Sequence, residues 1–227
     1  MKVGYFFIHL QNLNLVIILI MWKKVELKPK EGLFLMNNGL YIYPDKNINE
    51  KDRDKVIGYC LDDSRIISIN SSKNPISWST RYDKVPGLTD YEYEDGSIEP
   101  YKDLNGKYNT NCIVNYCKIN NIDLQSDYSA FNYVKSFNPG YKNGEWYLPK
   151  AGELKLFYDN RSNFRTDCNT AGIFTNMNSD TTESYYFWTS TEYSGSYAWF
   201  LNLNGSSPFL RYRKYYGLYV VSFLKIL

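Results

Sequence analysis

The side chains best suited to binding chemistry concentrate near the C-terminus, after Glu192. Tyrosine and phenylalanine offer a large contact area with few rotatable bonds, serine and asparagine offer adaptable hydrogen bonds, and arginine pairs with carboxylates or stacks on rings. This mixture is typical of an antibody-like binding surface, although an aromatic-rich β core with arginine as plain surface charge would show the same residue types. The candidate ligand-binding residues are Tyr193, Ser194, Ser196, Tyr197, Phe200, Asn202, Arg211, Tyr212, Arg213, Tyr215 and Tyr216.

Residue types that common catalytic and metal sites need are scarce. The only histidine, His9, lies in an apolar N-terminal segment, which in practice excludes a histidine-based triad or metal centre. The four cysteines, Cys60, Cys112, Cys117 and Cys168, form no CxxC motif and lack the spacing of a zinc site. Their number is compatible either with two disulfides or with four buried thiols.

Carboxylates give no clearer sign of catalysis. Glu145 and Glu153 are the pair one would consider for glycoside hydrolysis, but Glu153 falls at the start of a predicted helix, where negative charge is favourable. The acidic run at residues 90–99 lacks the residue order of a calcium-binding loop. We therefore predict a protein that is not an enzyme, with no catalytic residue, no metal and no cofactor.

The candidate binding residues are expected on a β-hairpin. Apolar and other residues alternate on both sides of Asn204-Gly205, and Asn-Gly between such runs is a strong signal for a type I′ turn. The alternation predicts that Trp199 and Leu201 face the core, while Phe200 and Asn202 face the opposite, ligand-binding side. The complete predicted core set is Trp146, Leu148, Leu154, Trp188, Trp199, Leu201 and Val220.

The elements before this hairpin alternate between β and α patterns. A first Asn-Gly hairpin is predicted at residues 33–43, followed by strands at 56–60 and 65–69 and a loop-rich stretch at 70–108. Asn109 or Thr110 is expected to cap a helix, and Ser126 or Asp127 another. A strand at 145–149, a helix at 151–158 and a short helix near 170–174 complete the prediction.

The overall composition narrows the class of protein. The chain has 227 residues, 44% hydrophobic and 18% aromatic with 23 tyrosines, and a formal net charge of +2. A core can therefore form, and the near-balanced charge argues against nucleic acid or an acidic membrane as the main partner. Residues 1–22 contain a dense apolar run from Leu13 to Trp22, and the segment fits either a signal peptide or anchor, or an extension upstream of a true start at Met21.

Two sequence blocks resemble a known family. The block Gly144-Glu145-Trp146-Tyr147-Leu148-Pro149-Lys150-Ala151-Gly152-Glu153-Leu154 resembles the "G-x-W-x-L-P-x-x-G-E-L" signature of bacterial and phage C-type-lectin-like domains. These include the Fibrobacter major paralogous type and the C-terminal domain of the Legionella collagen-like adhesin. The block Phe187-Trp188-Thr189-Ser190-Thr191-Glu192-Tyr193 is similar to the family's "W-S-S-T-E-Y", and Tyr197-Ala198-Trp199 to the strand that follows it. Val221 stands where the family's closing strand has an arginine.

The resemblance implies an α+β chain with a C-type-lectin-like fold at residues 101–227, preceded by a small β-rich module at 23–100. The first and last strands of the lectin-like domain are expected to pair. In phage and Bacteroides-type members the last hairpin is often the variable region of a diversity-generating retroelement. The tyrosine, serine and asparagine content after Glu192 fits this interpretation, but an AT-rich genome would produce the same bias.

The functional prediction is a receptor-binding or adhesin-like protein that presents its C-terminal hairpin to a cell-surface protein or glycan. It would lie on a virion or on the bacterial cell surface, with a membrane contact only if residues 1–22 are an anchor, and homo-oligomers are compatible with this role. The alternative is a structural subunit of a phage fibre or cell-surface assembly that has no ligand of its own.

Overall fold

The computed structural model describes residues 27–88, 104–177, 186–204 and 208–226. Within these ranges the chain is an α+β protein with antiparallel sheets, as predicted. No helix in them is long and apolar enough to cross a membrane. The apolar segment 1–22 and the acidic run 90–99 lie outside the described residues, so the predictions made for them are not tested.

The helices are α1 (Glu50–Arg53), α2 (Gly106–Asn120), α3 (Leu124–Asp127), α4 (Ser129–Ser136) and α5 (Ala151–Ala171). The strands are β1 (Phe34–Met36), β2 (Tyr41–Ile42), β3 (Val56–Cys60), β4 (Arg65–Ser68), β5 (Ile76–Ser77), β6 (Trp146–Tyr147), β7 (Tyr186–Glu192), β8 (Tyr197–Asn202), β9 (Phe209–Arg213), β10 (Gly217–Leu218) and β11 (Phe223–Lys225).

The largest sheet has the strand order β2-β1-β3-β4-β11-β6. The last strand, β11, lies between two much earlier strands: Phe223 is opposite Ile67 of β4 on one side and Tyr147 of β6 on the other. The predicted pairing between the first and last strands of the region after residue 103 is thereby confirmed. The same sheet continues across the boundary predicted between residues 23–100 and 101–227.

The front hairpin β1–β2 forms as predicted, but its turn differs. Gly39 has a φ of +81°, and its N–H donates to the Met36 carbonyl at 2.8 Å. Asn38 has no positive φ, whereas a type I′ turn requires one at both central residues. The loop therefore uses a type I turn closed by a left-handed glycine, and only that last position requires glycine.

Helices α2 and α5 are longer than the sequence patterns indicated, whereas Ser126 and Asp127 lie inside α3, which Asp123 caps, and α4 begins only at Ser129. Asn105 caps α2, one turn before the predicted caps Asn109 and Thr110, which are buried instead. Each of these buried side chains forms a hydrogen bond with a distant part of the chain. The Asn109 amide donates to the Ser190 carbonyl at 2.8 Å, and the Thr110 hydroxyl accepts from the Leu148 N–H at 3.1 Å. Likewise α5 runs on to Ala171, and so includes the start of the separate short helix predicted near 170–174.

The sheet β7-β8-β9 is covered on both faces where it meets the core. Phe187 and Leu201 belong to the apolar cluster formed with α5, whereas Trp188, Ala198 and Phe200 belong to the cluster formed with α2 and α4. All seven predicted core residues are buried, which confirms that part of the prediction. Val221, at the family's arginine position, is fully buried in the cluster with α5.

The cysteines are free thiols, so the two-disulfide alternative is wrong for this structure. Cys112 is half-buried, and the three buried cysteines are Cys60, Cys117 and Cys168. Burial raises the pKa of Cys117 to about 11 and the pKa values of Cys60 and Cys168 to about 12. The three buried cysteines are therefore packing residues with almost no thiolate at neutral pH.

Candidate functional site

The hairpin that carries the candidate residues is present as β8 and β9, with a longer connection than predicted. Leu201 lies opposite Phe209, and the pairing continues to Tyr197 opposite Arg213. A two-residue turn at Asn204-Gly205 would have placed Leu203 opposite Ser206, but β9 starts only at Phe209. Gly205 itself lies outside the described residues. The observed register decides which side chains share a face.

The predicted single binding surface is divided between the two faces of β9. Arg211 and Arg213 lie opposite Trp199 and Tyr197, whereas Tyr212 lies opposite Ala198. Because side chains alternate along a strand, the arginines and Tyr212 point to opposite sides. We call one side the arginine face, formed by Tyr193, Tyr197, Arg211 and Arg213, and the other the tyrosine face, formed by Tyr186, Leu210, Tyr212 and Tyr216.

On the arginine face, aromatic groups hold both guanidinium groups. The Arg211 guanidinium lies 4.3 Å from the ring centroid of Tyr193 and 5.7 Å from that of Trp199. Arg213 donates to the Tyr197 hydroxyl at 3.2 Å and to the Tyr215 hydroxyl at 3.3 Å, and these bonds raise its pKa. No carboxylate in the described parts of the chain forms an ion pair with either arginine. Two oriented positive charges are thus exposed with no ion-pair partner among the described carboxylates.

The tyrosine face belongs to a continuous series of aromatic rings. Tyr186 packs on Phe200 at 5.7 Å between centroids, Phe200 on Tyr212 at 5.9 Å, and Tyr212 stacks on Tyr216 at 4.8 Å. Tyr215 then lies 4.4 Å from Tyr216 and links this series to Arg213 on the other face. Hydrogen bonds from Tyr216, and then from Arg213, lower the pKa of Tyr215. The two faces therefore meet around the end of β9.

Phe200 is the clearest correction to the predicted site. Only 7% of its surface is exposed, because it packs against Trp188 and Tyr212 beneath the exposed tyrosines. The alternation correctly sends Phe200 to the face opposite Trp199, but in the central strand β8 the core covers that face too. Phe200 supports the tyrosine face from below.

The small polar candidates are half-buried and serve the local turns. The Ser194 hydroxyl accepts the N–H groups of Ser196 and Tyr197 at 3.4 and 3.2 Å, and the Asn202 side chain accepts the Asn204 N–H at 3.0 Å. The remaining candidates, Tyr193, Tyr197, Arg211, Tyr212, Arg213, Tyr215 and Tyr216, are exposed or half-buried.

Residues far away in sequence complete the site. Tyr82, 63% exposed, lies 6.1 Å from Tyr215 between ring centroids, and its carbonyl packs against Gly195. The segment that carries it is anchored because the Trp78 indole donates to the Thr189 carbonyl at 2.8 Å. No local pattern pointed to Tyr82, since it lies in a loop-rich stretch and only tertiary packing brings it to the hairpin.

A buried ion pair lies directly beneath this surface. Lys214 and Glu192 contact each other with almost no exposure to solvent. The Lys214 ammonium also donates to the Asp83 carbonyl at 3.2 Å and lies 4.5 Å from the Trp78 ring centroid. Glu192 accepts the Val85 N–H at 3.2 Å. The pair therefore joins the end of β9 to the segment that carries Tyr82, and sequence reasoning assigned it no role.

Neither of two open clefts in the structure involves the candidate residues. A cleft of about 380 Å³ is lined by Lys30, Glu31, Gly32, Tyr59, Asn163, Thr166 and Asp167, and the Tyr59 hydroxyl donates to Asp167 there at 2.7 Å. Another, of about 460 Å³, is lined by Ile76, Ser129, Asn132, Tyr133, Ser136, Phe137 and Asn138. Within the described ranges no group of three or more potential ligands could hold a metal ion. The candidate residues around β9 lie on the exposed or half-buried surface instead.

Comparison with known proteins gives a structural likeness and no family. No family model and no curated protein match the chain. Among solved structures, it is similar to a fimbrial protein from Bacteroides ovatus ATCC 8483, with 14% sequence identity and a TM-score of 0.61. The match covers 87% of this chain and 49% of the other, so this chain spans about half the length of that protein. At this identity the likeness shows that the two proteins share a fold.

Proposed function

We propose that this protein is a non-enzymatic, adhesin-like binding protein of the bacterial cell surface, and that the arginine and tyrosine faces contact a macromolecular ligand without a metal. The observation that carries the proposal is the exposure of large aromatic side chains around one strand. Tyr82, Tyr186, Leu210, Tyr212 and Tyr216 are each between 38% and 63% exposed. Apolar groups gathered in this way mark interaction sites more often than inert surface.

The scaffold behind these residues favours binding over simple solvent exposure. Phe200, Trp188 and the Lys214–Glu192 pair are buried directly beneath them, so the exposed rings lie on a packed support. Rigid aromatic groups lose little conformational entropy on binding, which is why they dominate binding hot spots. The surface location is supported by the fold shared with a protein described as fimbrial.

We retain the C-type-lectin-like arrangement as part of this proposal. The two family-like blocks contact each other: the Ser190 N–H donates to the Pro149 carbonyl at 2.7 Å. Glu153 accepts the N–H groups of Lys150 and Gly106, each at 2.9 Å, and so joins the starts of α5 and α2. A retroelement-diversified hairpin is also proposed. A template repeat in the flanking DNA that differs only at adenines, beside a reverse-transcriptase gene, would support it.

Attachment assays test the proposed site. Because Phe200 is buried, the test uses Tyr212→Ser together with Tyr216→Ser, which we expect to reduce attachment of labelled protein to target cells or glycan and protein arrays at least about tenfold. The matched control changes Tyr43 and Tyr108 to serine, two similarly exposed tyrosines outside both faces. The Tyr212/Tyr216 variant should melt somewhat below the parent, because Tyr212 packs on Phe200, so attachment is compared at a temperature at which circular dichroism shows all variants folded. Equal attachment by parent and Tyr212/Tyr216 variant would refute the proposed site.

A structural subunit is the second candidate, and the likeness to a fimbrial protein is the observation that favours it. In that role the tyrosine face would be covered by a neighbouring subunit. Sedimentation and electron microscopy at increasing concentration separate the two: concentration-dependent filaments that the same Tyr212/Tyr216 variant abolishes would favour the subunit, and a persistent monomer would favour the binding protein.

A further inference from the structure

Strand β9 is an open edge of its sheet. The order of this sheet is β7-β8-β9, so among the described strands β9 is paired on one side only. The Asn202 N–H donates to the Pro208 carbonyl and the Lys214 N–H to the Ser196 carbonyl, which identifies the even-numbered residues as the ones bonded to β8. In an antiparallel ladder, successive residues direct their N–H and carbonyl groups alternately to the two sides of the strand. The backbone groups of Phe209, Arg211 and Arg213 therefore point outward, away from β8.

These outward groups are available over most of the strand. In the described parts of the chain, only the Arg213 carbonyl has another backbone partner, the Tyr216 N–H at 3.1 Å. No other described residue bonds to the N–H and carbonyl of Phe209 and Arg211 or to the N–H of Arg213, so an added strand can pair with them. Free groups in this pattern are the usual template for an added strand.

The side chains define the chemistry of such a strand. Arg211 and Arg213 are two residues apart on one face, without a carboxylate partner among the described residues, and Tyr212 lies between them on the other face. In an added antiparallel strand, the residues opposite the two arginines would be alternate residues sharing their face, at the same spacing of roughly 7 Å. Acidic residues at those positions, with an apolar residue between them opposite Tyr212, complement β9.

A second copy of β9 complements this edge less well, because its residues Phe209–Arg213 include no carboxylate to pair with the arginines. Antiparallel self-pairing centred on Arg211 would place two arginines directly opposite each other, which is unfavourable. A glycan could supply carboxylates, but it has no regular series of amide groups to pair with the outward backbone groups.

We propose that the β9 edge binds an extended protein segment in which acidic and apolar residues alternate, by adding it as an antiparallel strand. This inference rests on the proposed binding function and names the class of partner. It assigns the arginine face to the acidic side chains, the tyrosine face to the apolar ones, and the open edge to the partner's backbone.

Fluorescence anisotropy with synthetic peptides tests each part. The probe is a capped, labelled nonapeptide that alternates glutamate with valine, and the comparison peptide has lysine in place of glutamate. The glutamate peptide should bind, and the lysine peptide should bind at least about tenfold more weakly. N-methylation of the glutamates removes the N–H groups that would face β9 and should abolish binding, whereas N-methylation of the valines should not.

Charge reversal supplies the protein-side test. Changing both Arg211 and Arg213 to glutamate should weaken binding of the glutamate peptide about tenfold or more and transfer the preference to the lysine peptide. Arg161→Glu is the control, since Arg161 also stacks on a tyrosine ring, 4.0 Å from the Tyr158 centroid, but lies on α5. If the double variant melts early, Arg213→Glu alone is used; Arg213 covers no buried indole.

Two results would overturn the inference. Equal binding of the glutamate peptide and both N-methylated forms would exclude strand addition, and an absence of peptide binding would mean that the arginines only protect the edge from aggregation. If peptides fail while cell or glycan attachment still depends on Tyr212 and Tyr216, the inference fails and the proposed function stands. If attachment is also absent, both fail.

Discussion

Replacing Lys214 with methionine removes the cation from the most deeply buried ion pair in the described parts of the chain. Its partner Glu192 is 0% exposed and would lose the Lys214 ammonium, while its hydrogen bond from the Val85 N–H would remain. Methionine fills most of the volume of lysine, so a cavity contributes little to the effect. The variant therefore measures the cost of a carboxylate buried without its ammonium partner.

Breaking such a pair on one side costs roughly 3–5 kcal/mol of unfolding free energy, because the remaining charge stays desolvated. The substitution also removes the contact between the Lys214 ammonium and the Trp78 ring, whose centroid lies 4.5 Å away. We therefore expect a loss of unfolding free energy near the upper end of this range. For a domain of this size each kcal/mol lowers the melting midpoint by about 2–4 °C, so the single variant should melt about 6–20 °C lower. Glu192→Gln should be destabilising in the same way.

The double variant, with Lys214→Met and Glu192→Gln, should cost far less than the sum of the two single changes, because neither charge is then left unpaired. Urea unfolding followed by circular dichroism gives the four free energies of the cycle, and we expect a coupling of at least about 2 kcal/mol. Additive effects would show that the two groups do not act as a pair. A single-variant loss below about 1 kcal/mol would show that solvent reaches them.

Two further predictions concern packing and thiol reactivity. Gly106→Ala should lower stability by about 1–3 kcal/mol in the same unfolding assay, because a Cβ there would meet the Leu148 carbonyl and lie 2.6 Å from a Glu153 oxygen; an unchanged midpoint would mean that α2 can shift. Mass spectrometry of the native protein with a thiol reagent at neutral pH should show Cys112 modified well before the three buried cysteines, whose pKa values burial raises to about 11 or 12. Equal rates at all four would show that the core opens readily.

Local patterns predicted the parts of the fold that depend on short-range rules. Alternation and Asn-Gly pairs located both hairpins, and the strands predicted at residues 56–60 and 65–69 are present as β3 and β4. The predicted helix ends were less accurate, because asparagine is a favourable cap wherever it occurs. Asn105 and Asn109 are both plausible caps by residue type, and only the contact between Asn109 and Ser190 distinguishes them.

The sequence predicted most residues of the candidate site but not how their side chains are arranged. Period two fixes which side chains share a face of one strand, but it does not say whether that face is covered. Phe200 is buried because Trp188, from the neighbouring strand, packs on the same side. Alternation alone separates the arginines from Tyr212, but the register of β9 decides which of them shares a face with Phe200, and that register depends on a connection whose length no turn motif gave correctly.

The contacts that hold the site together explain why sequence alone could not assemble it. Tyr82 and Lys214 are separated by more than a hundred residues, yet the Asp83 carbonyl accepts from Lys214 and the Tyr82 ring packs by Tyr215. A charged pair buried under an exposed surface adds little net stability compared with apolar packing, but it tolerates only one geometry. We infer that the pair fixes the position of the β9 end relative to the Tyr82 segment. The exposed residues can then differ in type without loosening the support beneath them, which is the property that a binding surface of changing specificity requires.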